Sequence, residues 1–176
     1  IYVRPDLATE VQPALAGWLG HDAPFAMEPE YRPAMSTERM RVGTPPIVQL
    51  SILDHALNVW DGVDMGDLRV ASVALSERFI REVEARCPQL TLASPRDADQ
   101  RGSQVSFAFE HGYAAMQACI DRGVIGDFRA PNIMRFGFTP LYLDEDDVIR
   151  AAEIIEEVIG KELWRDPKYQ TVSKVT

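Results

Sequence analysis

Seven of the twelve prolines fall within the first 46 residues, in YVRPD, VQPAL, APFAMEPEYRP and TPP, and no other feature of the chain restricts its fold so severely. Proline fixes φ, lacks an N–H and pushes the residue before it out of the helical region, so neither a long helix nor a central strand fits this stretch. Yet the segment also carries Trp18, Phe25, Tyr31 and several methionines, too apolar for a free linker. It is expected to lie against another surface. Its opening, IYVRPDL, reads as strand-like from the first residue, with no initiator methionine, as though cut from something longer.

Regular periodicity begins at Thr44. TPPIVQLSILDHALNVWDG places Ile47, Leu50, Leu53, Leu57 and Trp60 on a helical stripe, with Thr44 available as N-cap, Pro45 at the first position and Gly62 near the end. A second helix is expected from about Asp64 to Arg86, capped by Asp64, burying Leu68, Ala71, Leu75, Phe79 and Val83 and stopped by Pro88. The remainder alternates. LTLASP, SQVSFAFE, VIGDFR and IMRFGFT read as strands, and GYAAMQACIDRG as a short helix closed by Gly123. LDEDDVIRAAEIIEEVIGKELW reads as a long helix burying Val148, Ala152, Ile155, Ile159 and Leu163. The pattern is that of an α+β protein, helices on a small sheet.

A chain of 176 residues suffices for one substantial domain, or for a small domain plus a piece of another. A net charge of −9 and a pI near 4.8 set the surface against nucleic acid and anionic lipid. No apolar run reaches the roughly 18–20 residues that span a bilayer and no signal-peptide pattern opens the chain, so a cytoplasmic location is the default expectation. Cys87 and Cys119 form no ligand pattern and read as buried thiols.

NIMRFGFTPLY sets one arginine in a half-buried strand. Alternation sends Met134, Phe136 and Phe138 to one face and Ile133, Arg135, Gly137 and Thr139 to the other. Arg135 therefore either snorkels to water or meets an anion over the gap that Gly137 leaves. Other candidates reduce to plainer roles. The acidic run Asp144–Asp147 opens a helix, where capping accounts for it more simply than a metal does. His21, His55 and His111 lack zinc spacing, and no GxSxG, SxxK, GxGxxG or GxxxxGK[ST] occurs. At a helix N-terminus Thr44 could meet an anion, but Pro45 and Pro46 remove two amide donors, and spacing alone favours plain capping. Trp18, between glycines, reads as a core or interface aromatic whose indole N–H wants an acceptor. The lysines are Lys161, Lys168 and Lys174, all near the C-terminus and none in an interior turn.

In order and at the expected separations, GWLGHDAPFAME, GTPPI, RGSQVSF, RGVIGDFRAPNIMRFGFTPLY and the closing VT resemble the C-terminal portion of the kynureninase family. The resemblance covers nearly the whole chain, and the run from Arg122 to Tyr142 is its most specific element. It implies an aspartate-aminotransferase type (fold type I) enzyme. Residues 1–62 would be the end of the large pyridoxal-phosphate-binding domain with its dimer-interface loops, and residues 63–176 the small C-terminal α+β domain, a mostly antiparallel sheet covered by helices. It further implies a cytoplasmic homodimeric hydrolase of tryptophan catabolism and NAD biosynthesis, which converts L-kynurenine to anthranilate and L-alanine with pyridoxal 5'-phosphate. By the same resemblance Arg135 matches the arginine that grips the substrate carboxylate, and Gly43 lies near the aryl end of the substrate. Trp18 and Thr44 match residues that contact the cofactor phosphate across the dimer interface.

The resemblance also places the Schiff-base lysine and most of the phosphate cup on an N-terminal half preceding Ile1, so the chain alone is expected to be inactive. A cysteine desulfurase-like enzyme of the same fold type, and a non-catalytic α+β interaction domain whose Arg135 only snorkels, stay open at this point.

Overall fold

The computed structural model describes residues 1–171; Lys174 and the closing Val175–Thr176 lie outside the described residues. The chain divides into two units, Ile1–Asp61 and Gly62–Thr176.

In the first unit the prolines have the expected effect. Up to residue 46 the backbone forms turns, one isolated antiparallel bridge between His21 and Pro33, and two 3-10 segments, Trp18–Gly20 and Ser36–Met40. The opening residues are not a strand, because Pro5 starts a turn in which Leu7 and Ala8 donate to the Arg4 carbonyl. A single buried guanidinium organises these loops: Arg39 donates from Nε to the Ala34 carbonyl (3.0 Å) and from Nη1 to the carbonyls of Thr9 (2.6 Å) and Val11 (3.3 Å). Gly17 allows a close approach, since a Cβ there would stand 1.7 Å from the Val42 carbonyl oxygen. The GWLG turn is thereby seated against residues 39–43.

Helix α1 spans Ile47–Ala56 and continues as a 3-10 turn, Leu57–Trp60. It starts later than expected, with Pro46 rather than Thr44 at its N-cap, and the first helical bond runs from Leu50 N–H to the Pro46 carbonyl (3.0 Å). Thr44 and Pro45 each precede a proline and are held extended, so the helix can begin only after Pro46. The expected buried stripe is also overturned. Ile47, Leu50, Leu53, Leu57 and Trp60 are all exposed, and α1 buries no residue. Val48 and Ile52 make the helix apolar around most of its circumference, so periodicity alone selects no face.

The second unit is a four-stranded antiparallel sheet under helices. Strands β1 (Thr91–Leu92), β2 (Gln104–Ala108), β3 (Asp127–Arg129) and β4 (Ile133–Gly137) lie in the order β1-β2-β4-β3. LTLASP shrinks to the two residues of β1. Helices α2 (Met65–Arg86), α3 (Gly112–Ile120) and α4 (Glu145–Gly160) complete the unit. Met134, Phe136 and Phe138 are buried as alternation requires, with Val105 and Phe107 beside them on the same sheet face. Phe79 of α2 sits among Phe107, Phe136 and Phe138, with ring centroids 5.1–6.1 Å apart.

Helix boundaries follow their caps. Asp64 accepts from Asp67 N–H (2.9 Å) at the start of α2, and Gly123, at φ +91°, ends the turn after α3. Asp144 and Asp147 form a reciprocal capping box on α4, which is what the acidic run does. Helix α2 is rotated from expectation: Phe79 and Val83 are buried, but Leu68, Ala71 and Leu75 are only partly covered, and Ser72, Ser76 and Ile80 point inward. The cause is the loop of residues 94–103, which packs on this small-residue face. Ser72 Oγ donates to Ser103 Oγ (2.8 Å), while buried Arg101 pairs with Glu77 and donates to the Pro95 and Arg96 carbonyls (both 2.8 Å).

Candidate functional site

The outer face of the sheet is where side chains are free to do chemistry. Arg135, at the centre of β4, stands opposite Ser106 on β2 and Asp127 on β3, so all three project from one row. Gly126 makes the edge strand fit: a Cβ there would lie 2.8 Å from the Arg135 carbonyl and 2.6 Å from the end of Met116. Arg135 Nη2 donates to Asp127 Oδ2, whereas Nε is buried without an acceptor and Nη1 has none among the described residues. Arg129 approaches the same Oδ2 at 3.5 Å. One carboxylate thus faces two guanidiniums, and the row keeps a net positive charge. Beside it, Gly137 is exposed and a Cβ there would meet nothing within 4 Å. A planar cation with uncommitted donors next to open space suits a carboxylate ligand.

The first unit brings together Trp18, Gly43 and Thr44. A Cβ built on Gly43 would stand 3.8 Å from the Trp18 indole nitrogen, and Thr44 follows directly. The Trp18 ring is half exposed and meets Phe25 edge-on, at 5.6 Å between centroids. Among the described residues the Trp18 indole N–H, the Gly43 and Thr44 amides and the Thr44 hydroxyl have no protein acceptor. Three unspent donors on Gly43 and Thr44, with the Trp18 indole N–H beside Gly43, can hold a multiply charged anion such as a phosphate, by backbone and side chain rather than by a helix terminus. The four residues singled out by sequence divide between the units: Trp18, Gly43 and Thr44 in the first, Arg135 in the second.

Sequence reading missed Asp127. Its signal was an acid in the short strand immediately preceding that of Arg135, but only the β3–β4 register shows the two to be directly opposite. The cysteines are inert by environment. Burial pushes the Cys119 thiol up to about 12, and burial followed by the Glu156 charge pushes Cys87 up to about 11.

A family model described as the kynureninase C-terminal domain matches residues 68–155, half of the chain. The kynureninase of Pseudomonas fluorescens is 46% identical over 178 aligned residues, covering 100% of this chain and 43% of that protein. That of Burkholderia mallei is 48% identical over 164, covering 92% and 39%. The chain therefore spans about two fifths of the length of these curated relatives. Among solved structures, a cystine C–S lyase in complex with its product cysteine persulfide superposes with a TM-score of 0.75 at 21% identity, over 89% of this chain and 41% of that one. An apo cysteine desulfurase from Thermococcus onnurineus superposes at 0.74 with 17% identity, over 91% and 42%. A variant of the same lyase, with glycine covalently linked to its PLP cofactor, superposes at 0.73 with 22% identity, over 89% and 40%. At these identities the structural likeness speaks for the fold alone.

Proposed function

The chain belongs to the kynureninase C-terminal domain family, and from that premise we propose that it is the C-terminal part of a pyridoxal-phosphate-dependent kynureninase, hydrolysing L-kynurenine to anthranilate and L-alanine. The observation that carries this reading is the contrast in identity: 46–48% to kynureninases along almost the whole chain, against 17–22% to the lyase and desulfurase neighbours. On this reading residues 1–62 close the large domain and residues 63–176 form the small domain of a cytoplasmic homodimer. The N-terminal part of the full-length enzyme supplies the lysine that carries the cofactor. A helix as apolar as α1, burying nothing in this chain, supports that reading, because such helices are covered in larger assemblies.

Pyridoxal phosphate, when bound, supplies the electron sink for cleaving the Cβ–Cγ bond. The residues of this chain fit that group and its substrate by their donors. The Trp18 indole N–H, the Thr44 hydroxyl and the Gly43 and Thr44 amides would hold the phosphate of the partner subunit's cofactor, with Gly43 leaving room toward the aryl end of the substrate. Arg135 would hold the substrate α-carboxylate by a charge-assisted hydrogen bond from Nη1, the terminal nitrogen not engaged by Asp127, and so fix the amino acid at the reacting bond. Gly137 leaves the adjoining space open.

In the full-length enzyme Arg135→Ala is expected to raise KM and to lower kcat/KM by about two to three orders of magnitude, the loss of a charge-assisted hydrogen bond and of the cation that faces the carboxylate. Anthranilate fluorescence reads the reaction directly, and sulfide release from cysteine is the contrasting assay. Unchanged kinetics in the variant would remove Arg135 from the site; sulfide without anthranilate from the parent enzyme would replace kynureninase by a desulfurase.

A further inference from the structure

Arg135 is a long, partly buried side chain on the outer face of the sheet, and such a side chain samples many rotamers unless something holds its end. Ser106, on the β2 side, is neutral; its hydroxyl is engaged by Gln104 Nε2 (3.3 Å), and its amide donates to Ser94 Oγ (2.8 Å). The group that holds the guanidinium is on the other side. Asp127 is the Cα partner of Arg135 in the β3–β4 register, its carboxylate takes Nη2, and the side-chain exposures, 26% for Arg135 and 39% for Asp127, show a pair that is neither buried nor free.

We propose that Asp127 is the positioning residue of the carboxylate grip: it draws the Arg135 guanidinium over β3 and holds it by one terminal nitrogen, leaving the other terminal nitrogen to a ligand carboxylate. This deepens the kynureninase reading and rests on it. Three observations support a positioning role over a competing or structural one. Nη2 is engaged and Nε is buried, so the pairing leaves Nη1 for a second carboxylate. Arg129 shares Asp127 Oδ2, so the acid does not cancel the positive charge of the row. A half-exposed ion pair contributes little to stability, so its effect should fall on aim and not on folding. Gly126 belongs to the same device, because it lets β3 approach the Arg135 carbonyl closely enough to set Asp127 opposite.

The test is a cycle in the full-length holoenzyme: parent, Asp127→Asn, Asp127→Glu, Arg135→Ala, and the Asp127→Asn/Arg135→Ala double variant. Each is assayed for KM and kcat with L-kynurenine, for the Kd of the product L-alanine by calorimetry, and for Tm. Asp127→Asn is expected to raise KM and the L-alanine Kd about tenfold, with kcat within about threefold and Tm within about 2 °C. Asp127→Glu, which keeps the charge, should recover part of that loss. In the Arg135→Ala background Asp127→Asn should do nothing further, because there is no guanidinium left to aim.

A lower KM in Asp127→Asn would show an acid that competes with substrate, and equal losses in both backgrounds would show a structural one; either overturns the proposal. An unchanged KM in Asp127→Asn beside a large effect of Arg135→Ala overturns it as well, while leaving the kynureninase reading intact. If Arg135→Ala itself leaves KM and the L-alanine Kd unchanged, the assignment of Arg135 to the substrate carboxylate fails first.

Discussion

The two units of this chain are held by different physics. The second buries an aromatic and aliphatic core between three helices and a sheet, whereas the apolar residues fully buried in the first are only Ala8 and Ala34. Among the described residues, the large hydrophobic side chains left exposed belong to the first unit, all but Met65, Val70, Ile125 and Tyr142. What orders the first unit is polar: carbonyls gathered by Arg39, close backbone approaches at glycine, and His21 accepting from Ala23 N–H at Nδ1 (2.9 Å). A unit built this way can present donors such as those at Trp18, Gly43 and Thr44, but it has little core to stabilise it. The packed unit can hold Arg135 on a rigid strand.

The sharpest test of the contrast is Phe79→Ala. Its ring meets Phe107, Phe136 and Phe138, so the cavity should cost about 3–5 kcal/mol in chemical denaturation of the second unit. A cost under about 1 kcal/mol would mean the core is not packed as described. Next is Arg39→Ala in the first unit, which takes a buried charged donor from three carbonyls and should cost about 1.5–3 kcal/mol locally. Faster proteolysis within residues 1–61, with the cleavage rate of the second unit unchanged, is the expected outcome. Parallel loss in both units would merge them into one cooperative body.

The contrast also governs what could be read from sequence. Elements of the second unit were legible because burial on one face leaves a period: β4 alternates about Arg135, and α4 carries both its stripe and its acidic cap. Helix α1 carried an equally clear stripe and was misread, because its other faces are apolar as well and none of its residues is buried in this structure. Arg39 and Arg101 left no trace, since a guanidinium that binds carbonyls has no periodic signature. Arg135 stood out as a cation in a strand. Its partner Asp127 needed a cross-strand register, and the grouping of Trp18 with Gly43 needed the fold of a loop.

Thr44→Ala asks whether the donors of the first unit are functional or incidental. Thr44 neither caps α1 nor bonds to the described protein, so removing its hydroxyl should leave folding unchanged. Affinity of the full-length enzyme for pyridoxal phosphate, followed by absorbance titration, should fall about tenfold, the loss of one hydrogen bond to a charged group. An unaltered titration would leave Thr44 as a surface hydroxyl.

The smallest effect is expected at Leu53→Ser, and its value lies in being small. Leu53 is 53% exposed on α1, where no residue is buried, so within this chain the change should stay near the difference in helix propensity, about 0.5 kcal/mol. In the full-length enzyme, where α1 is proposed to be covered, the same substitution would open a cavity or strand a hydroxyl and should cost about 2 kcal/mol or more. Denaturation of both proteins gives the two numbers. Equal small costs would leave α1 uncovered in the complete enzyme and remove the support it lends to a larger assembly; equal large costs would mean that Leu53 is already packed within these residues, and the contrast between the two units would fail at its weakest element.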